Sequence, residues 1–562
     1  MLSKLYSFLD KKTKLQILLI QLVFIISTFL EFLNLNFLLA FLISIFSKDK
    51  LQNSIPFFDY FNFEIISALS SSEIGILLLV IFFCSSLFIL LSNYVIFYFS
   101  HYLKAKLTNT YFLRTLNANY FYILNKGASG VIHDVTNEIP KISDGVILPI
   151  LMIFNKLFLM SAILIFLLTN FFDITLKLLA ISFFMILIFY LILKKYFYDF
   201  GVKVSFSQNN VIKSLHETFS NLQAIKIFNL EKYFVEKVFQ NLKIFTKYQS
   251  LGYLFGSIPK FFFELFAISI VTFVLIYFSY NEDTKIEFLI PTIGTFAFVG
   301  YRLLPIFQEI FNSLSMVKNS QYASNKILNK YLFKNTNLKL NNKRIIESAI
   351  NKIEIYNLNF KYPGNRSFIF KNFSISFFKN KITTITGNSG AGKTTLVNII
   401  NGLIIPQNIN FKINGKKVDN QEYYEIIKNK FSYNDQRPNL FDVSIKKNVA
   451  LNFNTKSYNE RLFLNSLKKA SLSELNTKSR KGSSVGSSGV KLSGGQIQRL
   501  LIARALYHQK DVLIFDEPTN FLDEKNKDKV IESIKQIKKN KIVIILSHDE
   551  KILKISDKVF KI

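Results

Sequence analysis

The sequence predicts two parts of different class: an α-helical membrane domain of six spans with long cytoplasmic extensions, followed by an α/β domain built on a phosphate-binding loop. Half of the 562 residues are hydrophobic, and they crowd into the first three fifths of the chain. Six stretches there reach the about 20 apolar residues that a hydrocarbon core about 30 Å thick requires. Downstream, Gly387-Asn388-Ser389-Gly390-Ala391-Gly392-Lys393-Thr394 fits G-x-x-x-x-G-K-[ST] between a β-branched strand and an apolar helix. A chain of this length exceeds one hydrophobic core, so two or more domains are expected.

The six spans fall near residues 15–46, 74–100, 146–170, 174–195, 251–280 and 287–312. The basic start of the chain runs into a long apolar stretch without a small-residue cleavage pattern, which reads as a retained anchor. Lys4, Lys11, Lys12 and Lys14 precede the first span, and nine lysines from Lys194 to Lys247 lie between the fourth and fifth. Those ends are expected on the cytoplasmic side, and Asp173 and Asn281–Glu287 on the other. An even number of spans then leaves everything after residue 312 in the cytoplasm. The connections at about 101–145 and 196–250 carry helical apolar patterns, so they continue the spans and reverse near Gly127–Asp134 and Leu222–Phe228. Residues 326–350 turn polar and read as a linker, so the division is 1–325, 326–350 and 351–562.

In the third part, Ile353–Phe360 alternates like a half-buried strand. Ile382–Thr386 enters the Gly-rich loop and Leu396–Ile400 leaves it as a helix, the context in which backbone N–H groups and a helix N-terminus face phosphates. The apolar run Val512–Phe515 ends in Asp516 and Glu517, and Ile542–Leu546 leads to Ser547 and His548. Between loop and carboxylates stands Leu492-Ser493-Gly494-Gly495-Gln496, opening another helix.

This ordered set resembles the nucleotide-binding domain of ABC ATPases over roughly residues 350–562, and the part before it resembles the six-helix exporter half of that family. The resemblance implies ATP and Mg²⁺ as cofactors. It implies that Gly387 through Thr395, including Ser389, cradle the phosphates, with Lys393 on the β- and γ-oxygens and Thr394, Gln436 and Asp516 as metal ligands. Glu517 is then the base or orienting carboxylate for water, His548 the switch histidine on the γ-phosphate, and Tyr362 the aromatic stacked on adenine. Pro518–Asp523 matches the family's D-loop region. Ser493, Gly494, Gly495 and Gln496 cap the nucleotide of a second, identical subunit, so a homodimer is implied. The family's acidic stretch before this signature is here the serine- and glycine-rich Lys481–Gly489, which leaves its contact with the coupling helices open.

The formal charge of +31 is scattered, so it excludes a nucleic-acid partner and fits anionic membrane lipids. One cysteine, Cys84, permits neither an intrachain disulfide nor a thiolate metal cluster. Charges inside spans cost about 2.5–3.5 kcal/mol on insertion scales, so Glu31, Glu264 and Arg302 either form an internal Glu–Arg ion pair, sit at interfacial positions of long, tilted helices, or meet substrate, Arg302 on an anionic headgroup. Phe29–Asn34 and Tyr301–Pro305 look like segments of flippases for lipid-linked oligosaccharides, and a guanidinium suits a diphosphate linkage. The expected activity is ATP-driven export of such a lipid across the inner membrane of a bacterium. Export of a peptide, drug or other lipid is the alternative. A membrane-anchored ATP sensor or gated channel, or a soluble ABC-type ATPase, ranks lower.

Overall fold

The computed structural model describes residues 10–46, 70–118, 120–280, 286–328, 349–388, 390–436, 440–453, 458–475, 484–486, 491–520 and 522–562. They form two compact units, Met1–Ala118 with Tyr122–Asn337 and Leu338–Ile562 with Asn119–Phe121. Within the proposed linker, residues 329–348 lie outside the described ones, as do residues 281–285 and most of Lys481–Gly489.

The first unit is helical. It comprises α1 (Lys11–Phe46), α2 (Ser71–Leu116), α3 (Tyr120–His133), α4 (Ile139–Ile142), α5 (Leu148–Asn170), α6 (Phe172–Ser220), α7 (Leu222–Ile227), α8 (Glu231–Tyr280), α9 (Ile286–Asn319) and α10 (Gln321–Ile327). A capping box starts α2: the Glu73 N–H donates to the Ser70 hydroxyl and the Ser70 N–H to the Glu73 carboxylate at 2.7 Å. The 49 and 50 residues of α6 and α8 span about 75 Å each, more than twice the hydrocarbon core, so the long extensions exist as expected. Among the described residues three helices are long and apolar enough to cross a membrane: Lys11–Ile45, Ser71–Leu116 and Tyr122–Asn170. The other expected spans fall on α6, α8 and α9, where many side chains lie outside the described residues. Leu35, Leu39, Ile74, Ile163, Phe166 and Ile306 from α1, α2, α5 and α9 make one buried cluster. Leu79, Phe83 and Leu90 of α2 stay exposed, a surface that suits lipid rather than water.

The first reversal differs from the one read in the sequence. Helix α2 ends at Leu116, where the Asn117 N–H donates to the Leu113 carbonyl, and α3 starts at Tyr120. The start of the expected range falls inside α3, where Gly127 (φ 68°, ψ 160°) breaks the helical geometry. The second reversal falls on α7, within the range expected.

Beyond Gly127 the chain enters two π-helical turns, Asp134–Glu138 and Ser143–Ile147, on either side of α4. Asp134 is 1% exposed and gathers Lys126, the Tyr111 hydroxyl at 2.9 Å and, from α10, Lys326 at 3.2 Å. His133 is wedged between Asp134 and Glu138, 3.7 and 3.4 Å away, and Ser205 of α6 donates to Glu138 at 2.6 Å. Close by, helices touch backbone to backbone: a Cβ on Gly201 of α6 would lie 1.8 Å from the Asn319 carbonyl oxygen at the end of α9.

The second unit is α/β. Its strands are β1 (Lys352–Phe360), β2 (Phe370–Phe378), β3 (Lys381–Thr386), β4 (Asn408–Ile413), β5 (Lys416–Val418), β6 (Phe431–Asn434), β7 (Val512–Asp516), β8 (Ile542–Leu546) and β9 (Lys558–Lys561). Its helices are α11 (Lys393–Ile400), α12 (Asn420–Lys430), α13 (Ile445–Ala450), α14 (Glu460–Lys469), α15 (Gly494–Tyr507), α16 (Glu524–Ile537) and α17 (Glu550–Ile555). A parallel sheet runs β6-β7-β8-β3-β9 and an antiparallel one β2-β1-β4-β5. Every residue of β7 and β8 is buried, which is why both read as unbroken apolar runs. Strand β1 buries Ile353, Ile355, Leu358 and Phe360, with a register shift beside Asn357 (φ 55°).

Candidate nucleotide site

The carboxyl ends of β3, β7 and β8 lie side by side, because β8 pairs with both neighbours: Ile385 lies level with Leu546, and Asp516 with Leu546. In open α/β sheets this edge is where ligands bind. From β3 the chain passes through Gly387 and turns at Gly390 (φ 85°) and Gly392 (φ 97°) into α11; Ser389 lies outside the described residues. Gly392 is required twice over. Its backbone is left-handed, and a Cβ there would lie 2.7 Å from Ile369.

Three charged or polar side chains converge at this edge. The Lys393 ammonium donates to the Gly387 carbonyl at 2.6 Å and to Nε2 of His548. Nδ1 of the same imidazole lies 3.5 Å from the Thr386 hydroxyl. Glu517 Oε1 lies 3.8 Å from the same Nε2. Glu517 has φ 47°, a left-handed geometry rare outside glycine that costs about 1–3 kcal/mol. Its N–H donates to the Leu546 carbonyl at 2.9 Å, which holds the turn that separates Glu517 from Asp516.

Asp516 is 5% exposed and makes no ion pair among the described residues. Burial, reinforced by the charges of Asp435 and Glu517, pushes its carboxyl up to about 6 against the opposing effects of Tyr433 and Lys393. The Tyr433 hydroxyl donates to Asp516 Oδ2 at 3.2 Å. Thr394, Asn388 and Gly390 are exposed around the loop, Ala391 is half-buried, and Gln436 is exposed just past β6. Tyr362 hydrogen-bonds Thr395 at 3.0 Å through its hydroxyl and meets Phe360 edge-on, so its ring is fastened to the first turn of α11.

Ser493 opens α15 in a reciprocal cap: the Gln496 N–H donates to its hydroxyl at 3.3 Å and its own N–H to Gln496 Oε1 at 3.1 Å. Gln496 Nε2 also donates to Glu474 at 3.2 Å, so this side chain is committed to the helix end. A Cβ on Gly494 would meet nothing, whereas one on Gly495 would lie 3.0 Å from Asn526. Among the described residues no hydrogen bond or ion pair joins Ser493, Gly494, Gly495 or Gln496 to Lys393, Asp516, Glu517 or His548.

In the helical unit, Arg302 Nε lies 3.2 Å from Glu31 Oε1, with the two side chains 20% and 4% exposed. The guanidinium sits over Phe82 and Phe298 at 5.1 and 5.5 Å. Glu264 pairs instead with Lys260, one helical turn away, at 3.7 Å. Of the alternatives the sequence left open for these charges, the structure shows pairing for Glu31 and Arg302, and Glu264 has a different partner.

The model of the ABC transporter transmembrane region matches residues 17–299, half of the chain, and an ABC transporter model matches residues 370–520. The chain belongs to the ABC transporter family. Relatives of this ABC transporter include the heterocyst differentiation ATP-binding protein HepA of a Nostoc species, 29% identical over 48% of this chain and 44% of that protein. They also include the ATP-dependent lipid A-core flippase of Francisella tularensis subsp. holarctica, 26% identical over 66% of this chain and 60% of the flippase. The ABC transporter chain thus spans under two thirds of the length of these relatives. A bacterial Atm1-family ABC exporter with ATP bound has the same fold, with a TM-score of 0.77 at 16% identity over 98% of this chain and 94% of that one.

One residue of this ABC transporter's site escaped the sequence reading. Tyr433 stands three residues before Gln436, among 26 tyrosines, and nothing in its flanks marks it. Only the pairing of β6 with β7, Tyr433 level with Ile514, puts its hydroxyl within reach of Asp516.

Proposed function

We propose that this ABC transporter chain is an ATP-hydrolysing exporter half, working as a homodimer by alternating access in a bacterial inner membrane. It has a membrane domain over 1–325, a linker over 326–350 and a cytoplasmic nucleotide-binding domain over 351–562. The observation that carries the reading is the convergence of Lys393, His548 and Glu517 at the carboxyl edge of the parallel sheet. The loop from Gly387 to Thr395 binds phosphates, Lys393 reaches the β- and γ-oxygens, and Tyr362 lies against adenine. Glu517 draws a proton from, or orients, the attacking water, and His548 contacts the γ-phosphate beside it.

The donor set fits Mg²⁺. Thr394 hydroxyl, Gln436 amide and Asp516 carboxylate are hard oxygen donors, and Mg²⁺ takes one or two carboxylates together with phosphates and water. Asp516 is a buried carboxylate without an ion-pair partner among the described residues, a site that accepts a cation readily. When present, Mg²⁺ would be held by Thr394, Gln436 and Asp516 and would supply charge neutralisation for the phosphates. The α15 end, with Ser493 and the open Gly494, serves the nucleotide of a second copy, a reading supported by the lack of a hydrogen bond or ion pair between it and Lys393 among the described residues.

The cargo we propose is a lipid-linked oligosaccharide or related lipid, supported by the intramembrane Arg302 and by the flippase relative. A peptide, drug or other lipid is the second reading, favoured by the observation that Glu31 already neutralises Arg302. Reconstitution in vesicles tests both: ATP-dependent movement of a lipid-linked glycan, abolished by Glu517→Gln, supports the first. Movement of a peptide or drug with none of the glycan selects the second.

A further inference from the structure

We infer that Tyr433 is a positioning residue for Asp516, tying the segment that carries Gln436 to the carboxylate proposed to hold the metal ion; the inference rests on Asp516 being that ligand. Tyr433 is half-buried near the end of β6, its ring packed against the core below the sheet. Its hydroxyl reaches across to β7, donating to Asp516 Oδ2 at 3.2 Å, with Asp435 Oδ1 within 3.5 Å on its other side. This is the one side-chain hydrogen bond to Asp516 among the described residues.

The consequence is geometric. A carboxylate at a strand end rotates about its last side-chain bond unless something fixes its plane. Oδ2 is held by the phenol, and the bond fixes the plane of the carboxylate and hence the direction in which Oδ1 points. A phenol has one hydrogen and can donate it to one acceptor at a time. Asp516 and Asp435 therefore compete for it, and a shift of Asp435, the neighbour of Gln436, is felt at Asp516 without any contact between them. A metal ligand whose outer partner is lost typically binds its ion about 10–100-fold more weakly.

The test uses the full-length protein in detergent and Mn²⁺ as a spectroscopic stand-in, titrated by electron paramagnetic resonance with a non-hydrolysable ATP analogue present. Tyr433→Phe keeps the packed ring and removes only the hydroxyl. It is expected to weaken Mn²⁺ binding about tenfold while leaving metal-free binding of the analogue unchanged. Asp435→Asn, which takes away the competing charge, is expected to keep Mn²⁺ affinity at or above that of the parent. Equal Mn²⁺ affinity in Tyr433→Phe and parent overturns the inference, as does loss of analogue binding with and without metal alike. Asp516→Asn separates the two levels. If it lowers Mn²⁺ affinity and Tyr433→Phe does not, only the positioning role fails; if it does not, the assignment of Asp516 fails as well.

Discussion

At the residue scale, the sheet edge gives two adjacent carboxylates different surroundings. Glu517 is turned by its left-handed backbone toward His548, and Asp516 stays buried under Tyr433. Glu517→Gln is expected to cut ATP turnover by about 10²–10⁴-fold, the usual worth of a positioned base, with ATP binding retained; phosphate release and nucleotide binding measured side by side check it. Asp516 carries a sign that can be tested through stability. Its folded carboxyl titrates near 6 against an ordinary 3.8, so its favourable contribution is complete below about pH 4 and is lost as pH rises through 6. Asp516→Asn is therefore expected to raise the melting temperature of metal-free protein at pH 7 and to change it little at pH 4; an equal gain at both values would count against burial as the cause. The residues of the loop and both carboxylates could be read from sequence because each motif is contiguous. Tyr433 could not, since its role exists only through strand order; a Glu–Arg pair was among the readings of the intramembrane charges, and only the fold selects Glu31 rather than Glu264 as the partner of Arg302.

At the scale of elements, buried charge decides where helices sit. Asp134 draws α2, α3 and α10 together through Tyr111, Lys126 and Lys326. Removing one partner of a buried pair leaves the other uncompensated, so Asp134→Ala is expected to cost about 3–5 kcal/mol, read as a lowered melting temperature of the solubilised protein. The same logic applies to Arg302→Ala, which strands Glu31; the double variant Glu31→Gln with Arg302→Gln is expected to recover part of the loss. Recovery of transport along with stability would assign Arg302 a packing role, and recovery of stability alone a role toward cargo. The strands and long helices were legible from periodicity and length. The first reversal was not: α2 already ends at Leu116, ahead of the expected Gly127–Asp134, and Gly127 breaks the helix that follows.

At the scale of the whole molecule, the proposed homodimer can be tested by mixing two variants. Chains carrying Lys393→Ala and chains carrying Ser493→Arg are each expected to be inactive alone. Co-assembled, they regain ATP hydrolysis, because a mixed dimer keeps one pocket with neither change; no recovery in verified mixed dimers would remove the composite arrangement. One contact in the helical unit is made by backbone alone. Gly201 leaves room for the Asn319 carbonyl and for nothing more, and it divides α6 into arms of about 44 and 29 Å. The spacing of the two helices there is set by one absent side chain, and a single added methyl group would push the Asn319 carbonyl, and with it the end of α9, away from α6.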